Sequence, residues 1–244
     1  MTESVVKIYE LLEQTLTVEC PNATSLSEEE FAMIRRNGIG ASDMSAVLET
    51  MDKFRTRDDI LSNKLAKEWT QEEQEVGLKV NVRKGKDLEP LILDKAGKLL
   101  GVPLLKPPEM FRLVLYPWLT VNFDGLYLDE AGVVIPVEAK FTSTYADKYW
   151  NYTDFKPNAV YPRTCTFLEY CEAWAKHLGV PPYYLVQVQV QMLATNAPYG
   201  HIVSLRDKDW TVYAFRIPRD ERIIDEIIVQ SSRLWNQIQK LKGV

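Results

Sequence analysis

Apolar positions recur along this chain at two different periods, and the switches between them divide it into elements. Val5, Val6, Tyr9, Leu11 and Leu12 predict a short amphipathic helix over residues 3–16. Ser27 and Glu30 have the spacing of a capping box for a helix running to about Arg36, which the glycine-punctuated Asn37-Gly38-Ile39-Gly40 breaks. Ser42 is placed to cap a short helix through Val47 and Leu48, and Thr56 with Asp59 opens another reaching about Glu68. Leu88, Leu91, Ile92 and Leu99 lie at helical intervals between Val80 and Leu100, and Gly101 stops that helix. From Phe111 to Phe141 the pattern is that of strands. The apolar runs flanking Asp129-Glu130-Ala131-Gly132 predict a β-hairpin. Helical periodicity returns from Phe167 to Leu178 and again after Pro181-Pro182, with Gln187, Gln189, Gln191 and Met192 in the second helix. Strands near His201–Leu205 and Trp210–Ile217 follow, and a long amphipathic helix closes the chain.

This order predicts an α/β fold in which helices flank a central mixed β-sheet. With 244 residues and 46% hydrophobic content, the chain suits a single domain. Its parts are an N-terminal helical part over about 1–105, a sheet core over about 106–217 and a C-terminal helix over about 219–242. No run approaches the roughly 20 apolar residues of a membrane span. The N-terminus lacks the pattern of a secretory signal, and Cys20, Cys165 and Cys171 are too scattered for a disulfide framework. The expected location is the cytoplasm.

A net charge of −5 argues against a passive nucleic-acid binder, though not against an enzyme with local basic surface around an acidic site. Such groups exist at Arg35-Arg36, at Arg83-Lys84-Gly85-Lys86, and at Lys53 with Arg55 and Arg57. The acidic site is expected on the hairpin. Alternation along a strand puts Glu138 and Lys140 on one face, where Asp124 can meet them from the neighbouring strand. Such charges are commonly a solvated strand face. Here Val133-Val-Ile-Pro-Val137 and Leu113-Val-Leu115 predict cover on both sides, and buried acids need partners. A hard divalent cation bound through oxygen would supply one and Lys140 the other, which suits metal-assisted phosphodiester hydrolysis.

Three further groups gain meaning beside that trio. Glu89 sits in the long helix before the hairpin, just ahead of Pro90, which implies a kink or an early-helix position. Gln187 and Gln189 point about 200° apart on their helix, so only one can face the site. Arg35 precedes a glycine-rich turn that leads to Ser42 at a helix start, where free backbone N–H groups favour phosphate. That turn also reads as an ordinary connection between helices. His177 and His201 read as surface or strand residues rather than catalytic bases.

Taken in order, Arg35…Gly-Ala-Ser42-Asp, Gly85…Glu89-Pro, Asn-Phe-Asp124-Gly-Leu, Glu138-Ala-Lys140 and Tyr-x-x-Gln187-Val-Gln resemble the phage lambda exonuclease/YqaJ-type viral recombinase nucleases of the PD-(D/E)xK superfamily. The resemblance spans roughly residues 30–217 and implies a restriction-endonuclease-like core. It implies a 5′→3′ double-strand DNA exonuclease that leaves 3′ overhangs for a single-strand annealing protein. Endonuclease or repair activity on the same scaffold, or a silent DNA-binding role, is the alternative. Asp124, Glu138 and the Ala139 carbonyl then correspond to metal ligands, and Lys140 to the residue that positions water. Glu89 corresponds to the helical acid near a second metal or the water, and Gln187 to a supporting amide. Arg35 and Ser42 match positions that hold the terminal 5′-phosphate. The implied cofactor is a pair of Mg²⁺ ions, with Mn²⁺ as a substitute, and the implied assembly is a homo-oligomer, a trimer in the family pattern. Phe123 stands where the superfamily name expects proline, and the interval from Lys140 to Gln187 is longer than in the phage enzyme.

Overall fold

The hairpin forms where the sequence predicts it, because Asp129 closes its turn. Its Oδ1 accepts from the backbone N–H groups of Ala131 and Val133, at 3.0 and 2.9 Å, and Gly132 takes the left-handed conformation that the turn requires. Strands β5 (Gly125–Leu128) and β6 (Val134–Thr142) pair antiparallel across it, with Gly125 opposite Val137. The computed structural model describes residues 2–49, 55–70, 75, 79–152 and 165–243. Lys53, which the sequence singles out, lies outside these residues.

The α/β class holds, but the expected central sheet is divided into two. The first has the order β1 (Leu16–Cys20), β3 (Met110–Leu113), β4 (Leu119–Val121), β2 (Ile39–Gly40); the second runs β5, β6, β7 (Tyr199–Arg206), β8 (Val212–Pro218). Both are mixed, since β2–β4 and β6–β7 are parallel and the other pairs antiparallel. Residues Asn122-Phe123-Asp124 carry the chain from one sheet to the other. The N-terminal part is therefore not purely helical. It lends β1 and β2 to the first sheet, and both owe their hydrogen bonds to partners 80–97 residues away.

Eight helices of the described residues surround the sheets: α1 (Glu3–Leu12), α2 (Glu28–Arg35), α3 (Met44–Val47), α4 (Arg57–Leu65), α5 (Val80–Leu100), α6 (Phe167–Leu178), α7 (Pro182–Thr195) and α8 (Glu221–Lys242). The Ser27–Glu30 and Thr56–Asp59 capping boxes form as expected, and Thr166 with Glu169 makes a third at α6. Ser42 does not cap α3. Asp43 instead accepts from the Gly40 amide at 3.0 Å, and the Ser42 hydroxyl turns to Arg35. Pro90 lies inside α5, not in its first turn, with Gly101 as the left-handed cap. Ile92 and Ala96, one turn apart, bury the inner face of α5, which packs on β6. The main core runs from Ile8 of α1 to Ile238 of α8 and takes in both sheets, and a small second cluster gathers Cys20, Ala23 and Met110. Among the described residues no helix is long and apolar enough to cross a membrane.

His201 on β7 is a strand residue, as expected, and is 7% exposed with Nε2 3.1 Å from the Tyr127 hydroxyl. Its Nδ1 is buried without a partner. Burial, with Arg216 adding to it, pushes the imidazole down from 6.5 to about 4. The unfolded chain therefore binds this proton more readily, so the stabilisation is complete above about pH 6.5 and is lost as the pH falls towards 4. The loss is expected to reach about 3 kcal/mol. Urea unfolding at pH 7 and pH 4.5 checks it. His201→Gln should remove most of the pH difference, and an unchanged difference would assign it to other groups.

Candidate active site

Glu138 and Lys140 point the same way from β6, and the Lys140 ammonium donates to Glu138 Oε1. Asp124 stands just ahead of β5, at the passage between the sheets, and its Oδ2 accepts from the Ala139 amide at 2.8 Å. The N–H and C=O of a strand residue project to the same edge, so the Ala139 carbonyl faces the Asp124 side rather than β7. Two carboxylates, one carbonyl and one ammonium thus meet at the end of β6 that extends past its pairing with β5.

Helix α7 holds Glu138 from the opposite side. Gln187 Nε2 donates to Oε1 at 2.6 Å and Gln191 Nε2 donates to Oε2 at 2.5 Å. Both oxygens of this 1%-exposed carboxylate are fixed by amides one helical turn apart. Gln189 points elsewhere, donating to the Pro218 carbonyl and accepting from the Asp220 amide, each at 2.9 Å. The 200° argument thus separates Gln187 from Gln189, but it leaves out Gln191. The signal for Gln191 is present in the sequence as its i, i+4 spacing from Gln187. Gln191 also approaches the Asn122 carbonyl at 3.4 Å, linking α7 to the chain between the sheets.

The electrostatics of the trio are strained. Burial raises the Asp124 carboxyl well above the ordinary range, and Glu138 and Glu89 add to the effect while Lys140 opposes it. For Lys140, burial works against the charge, but Glu138, Tyr184 and Asp124 outweigh it and hold the ammonium above its usual range. Its Nζ also lies 4.7 Å from the centre of the Tyr184 ring. Glu89 acts on Asp124 through its field, and its own side chain is paired with Lys106.

Arg35 and Ser42 come together in a second cluster. Arg35 Nη2 is 2.9 Å from both Ser42 Oγ and Asp43 Oδ1. Arg55 joins the same Oδ1 at 2.8 Å, while Lys64 takes Oδ2 at 2.9 Å and the Arg35 carbonyl at 2.8 Å. Burial would raise Asp43, but Lys64, Arg35 and Arg55 together hold it well below the carboxylate range. Sequence reasoning finds Arg55 as a basic residue but misses Asp43 and Lys64 as its partners. Strand β2 carries this cluster to the trio, since Gly40 pairs with Thr120 four residues before Asp124. Gly38 makes the approach possible, because a Cβ there would lie 2.7 Å from Thr120 Cγ2.

The donor set suits a hard divalent cation. It is all oxygen, and it contains a carboxyl whose charge is destabilised until a cation arrives. Among the described residues no three His, Cys, Asp or Glu side chains form a complete ligand group. Two carboxylates with substrate oxygens and water are nevertheless a usual shell for Mg²⁺.

Comparison with known proteins bears on the family and the fold. No curated protein matches the chain. Solved structures share its fold, among them the following two. One is an alkaline exonuclease (LHK-Exo) from Laribacter hongkongensis, at TM-score 0.57 and 20% identity over 88% of this chain and 96% of that one. The other is a phage related exonuclease from Haemophilus somnus 129PT, at TM-score 0.50 and 13% identity over 84% and 95%. Residues 30–198 match the YqaJ-like viral recombinase domain, and the chain belongs to that family of nucleases.

Proposed function

We propose that this nuclease is a metal-dependent exonuclease that degrades double-stranded DNA from 5′ ends and leaves 3′ single-stranded overhangs. The observation that carries the reading is the Asp124–Glu138 pair around the Ala139 backbone with Lys140 alongside. Asp124, Glu138 and the Ala139 carbonyl would hold the metal, with Glu89 near a second ion. When bound, Mg²⁺ ions, or Mn²⁺ in their place, would polarise the phosphoryl oxygens and lower the pKa of the attacking water.

The chain's own groups do the rest. Lys140 orients the water and offers positive charge to the developing phosphorane. Gln187 and Gln191 hold Glu138 in one rotamer, so no reorganisation is needed as the reaction proceeds. Arg35 and Ser42 would seat the terminal 5′-phosphate and so set the register of the scissile bond. The reading extends to the whole chain, 1–244, as one nuclease domain acting in the cytoplasm. It includes assembly as a homo-oligomer, a trimer on the family pattern, and transfer of the overhang to an annealing protein.

Digestion with Mg²⁺ of linear duplex bearing 5′-phosphate, linear duplex bearing 5′-hydroxyl and closed circles tests it. The expected result is loss of the 5′-terminated strand from phosphorylated linear DNA with circles spared. Cut circles would make the protein an endonuclease. No cutting of any substrate, with Mn²⁺ also tried, would leave a DNA-binding scaffold.

A further inference from the structure

We infer that Lys106 is a further residue of the active site, a tethered cation that holds Glu89 and must yield it before a second divalent ion binds. The inference rests on the reading above, in which Glu89 lies near a second ion, and adds to it the residue that sets when that ion loads.

Lys106 is aimed by the residues on either side of it. Leu105 forms a backbone bridge with Leu126, and each amide donates to the other's carbonyl, at 2.8 and 2.7 Å. Pro107 steers Lys106 away from helical backbone. Leu105 packs against the core, so its neighbour turns the other way, and the Lys106 side chain is 42% exposed. Leu126 lies two residues beyond Asp124, so the bridge fixes the lysine at the rim of the site. Glu89 arrives from α5, one turn before Leu93. Leu93 and Leu104 close on Gly125, where a Cβ would lie 3.1 Å from the first and 3.6 Å from the second. Gly125 follows Asp124 directly, so this packing brings Glu89 and the Lys106 loop together beside the acid pair. There Glu89 accepts from the Lys106 ammonium through Oε1. Held so, it stays out of the acid group, since among the described residues no three ligating side chains gather.

An ammonium and a hard divalent ion seek the same carboxylate oxygen, and the ion brings twice the charge. The ammonium sits on a flexible four-carbon stem, so it leaves for solvent without moving the backbone. A partly exposed ion pair is weak, which suits a competitor that keeps Glu89 occupied at low divalent-ion concentration and gives way at high. The consequence is ordered loading, with the Asp124–Glu138 ion first and the Glu89 ion second. Lys106 touches no reacting atom in this scheme and is a positioning residue.

The test is Mn²⁺ binding without DNA, followed by calorimetry for the wild type and for K106M, K106R, E89Q, E89Q/K106M and K98M. The wild type is expected to take up two ions of unequal affinity. K106M should tighten the weaker one about three- to fivefold and leave the tighter one unchanged. K106R keeps the charge on Glu89 and should leave the weaker ion weak. E89Q should weaken that ion about tenfold or more. In the E89Q background K106M should add nothing, because the effect runs through this one pair. Lys98 pairs with Asp94 on an exposed stretch of the same helix, so K98M should bind both ions as the wild type does. In turnover, the Mg²⁺ concentration giving half-maximal cleavage should fall in K106M by a similar factor. A K106M that binds the weaker ion no more tightly, an equal gain in K98M, or a gain that persists beside E89Q would overturn the inference and spare the nuclease reading. A wild type that takes up a single ion, with E89Q no different, would overturn it together with the second ion. No uptake of Mn²⁺ and no digestion of DNA would overturn the reading itself.

Discussion

Lys140→Ala is expected to lower single-turnover cleavage by about 10³-fold while leaving Mg²⁺ and DNA binding in place. The size follows from the position of the ammonium. It is bonded to Glu138, raised above its usual range by both acids and held against Tyr184, so it is charged and fixed before substrate arrives. Such a group stabilises charge in the transition state at no cost of reorganisation. The sign of the binding effect separates this from a structural defect. Removing a cation from beside two carboxylates makes the site more negative, so calorimetry should find metal binding unchanged or tighter. Turnover close to that of the wild type would remove Lys140 from the mechanism, and loss of metal binding would recast it as a structural residue.

The second large effect has opposite signs for activity and stability. Asp124→Asn is expected to abolish cleavage and weaken metal binding at least tenfold, yet to raise the melting temperature of the metal-free protein. Asp124 is held beside Glu138 in a half-buried position, and its raised pKa records how poorly that position tolerates a second negative charge. An asparagine keeps the oxygen that accepts from the Ala139 amide and carries no charge. The gain should be about 1–2 kcal/mol, or roughly 2–8 °C for a chain of this size. Mg²⁺ should then stabilise the wild type by mass action and the variant hardly at all. Melts with and without Mg²⁺ decide the matter. A variant that melts at or below the wild type without metal would mean that the acid pair is not under strain.

Both predictions concern residues that the sequence alone makes legible. Asp124, Glu138 and Lys140 lie on one hairpin, and a hairpin is a local object: a turn residue, a period of two, and pairing between neighbours in sequence. The capping boxes at Ser27 and Thr56 are legible for the same reason, since each is complete within four residues. The opposed directions of Gln187 and Gln189 follow from helical geometry alone.

What the chain does not encode locally is where these pieces meet. The passage of Asn122–Asp124 between two sheets depends on β1 and β2 finding β3 and β4, pairings separated by 80–97 residues. A five-residue strand and a two-residue strand have too little periodicity to announce themselves. Ser42 reads as a helix cap because its neighbours suit that role, but three cations from outside the turn converge on Asp43, and the hydroxyl bonds Arg35 instead. Glu89 reads as a metal-site acid, and its distant partner Lys106 is invisible from its own helix. Sequence by itself thus determined which charges the hairpin brings together and the elements around it, because those follow from residues a few positions apart. Only the tertiary structure decided which charges share a carboxylate, which amides hold Glu138 and how the Arg35–Asp43 cluster is carried to the acids, because burial and long-range pairing are properties of the folded whole.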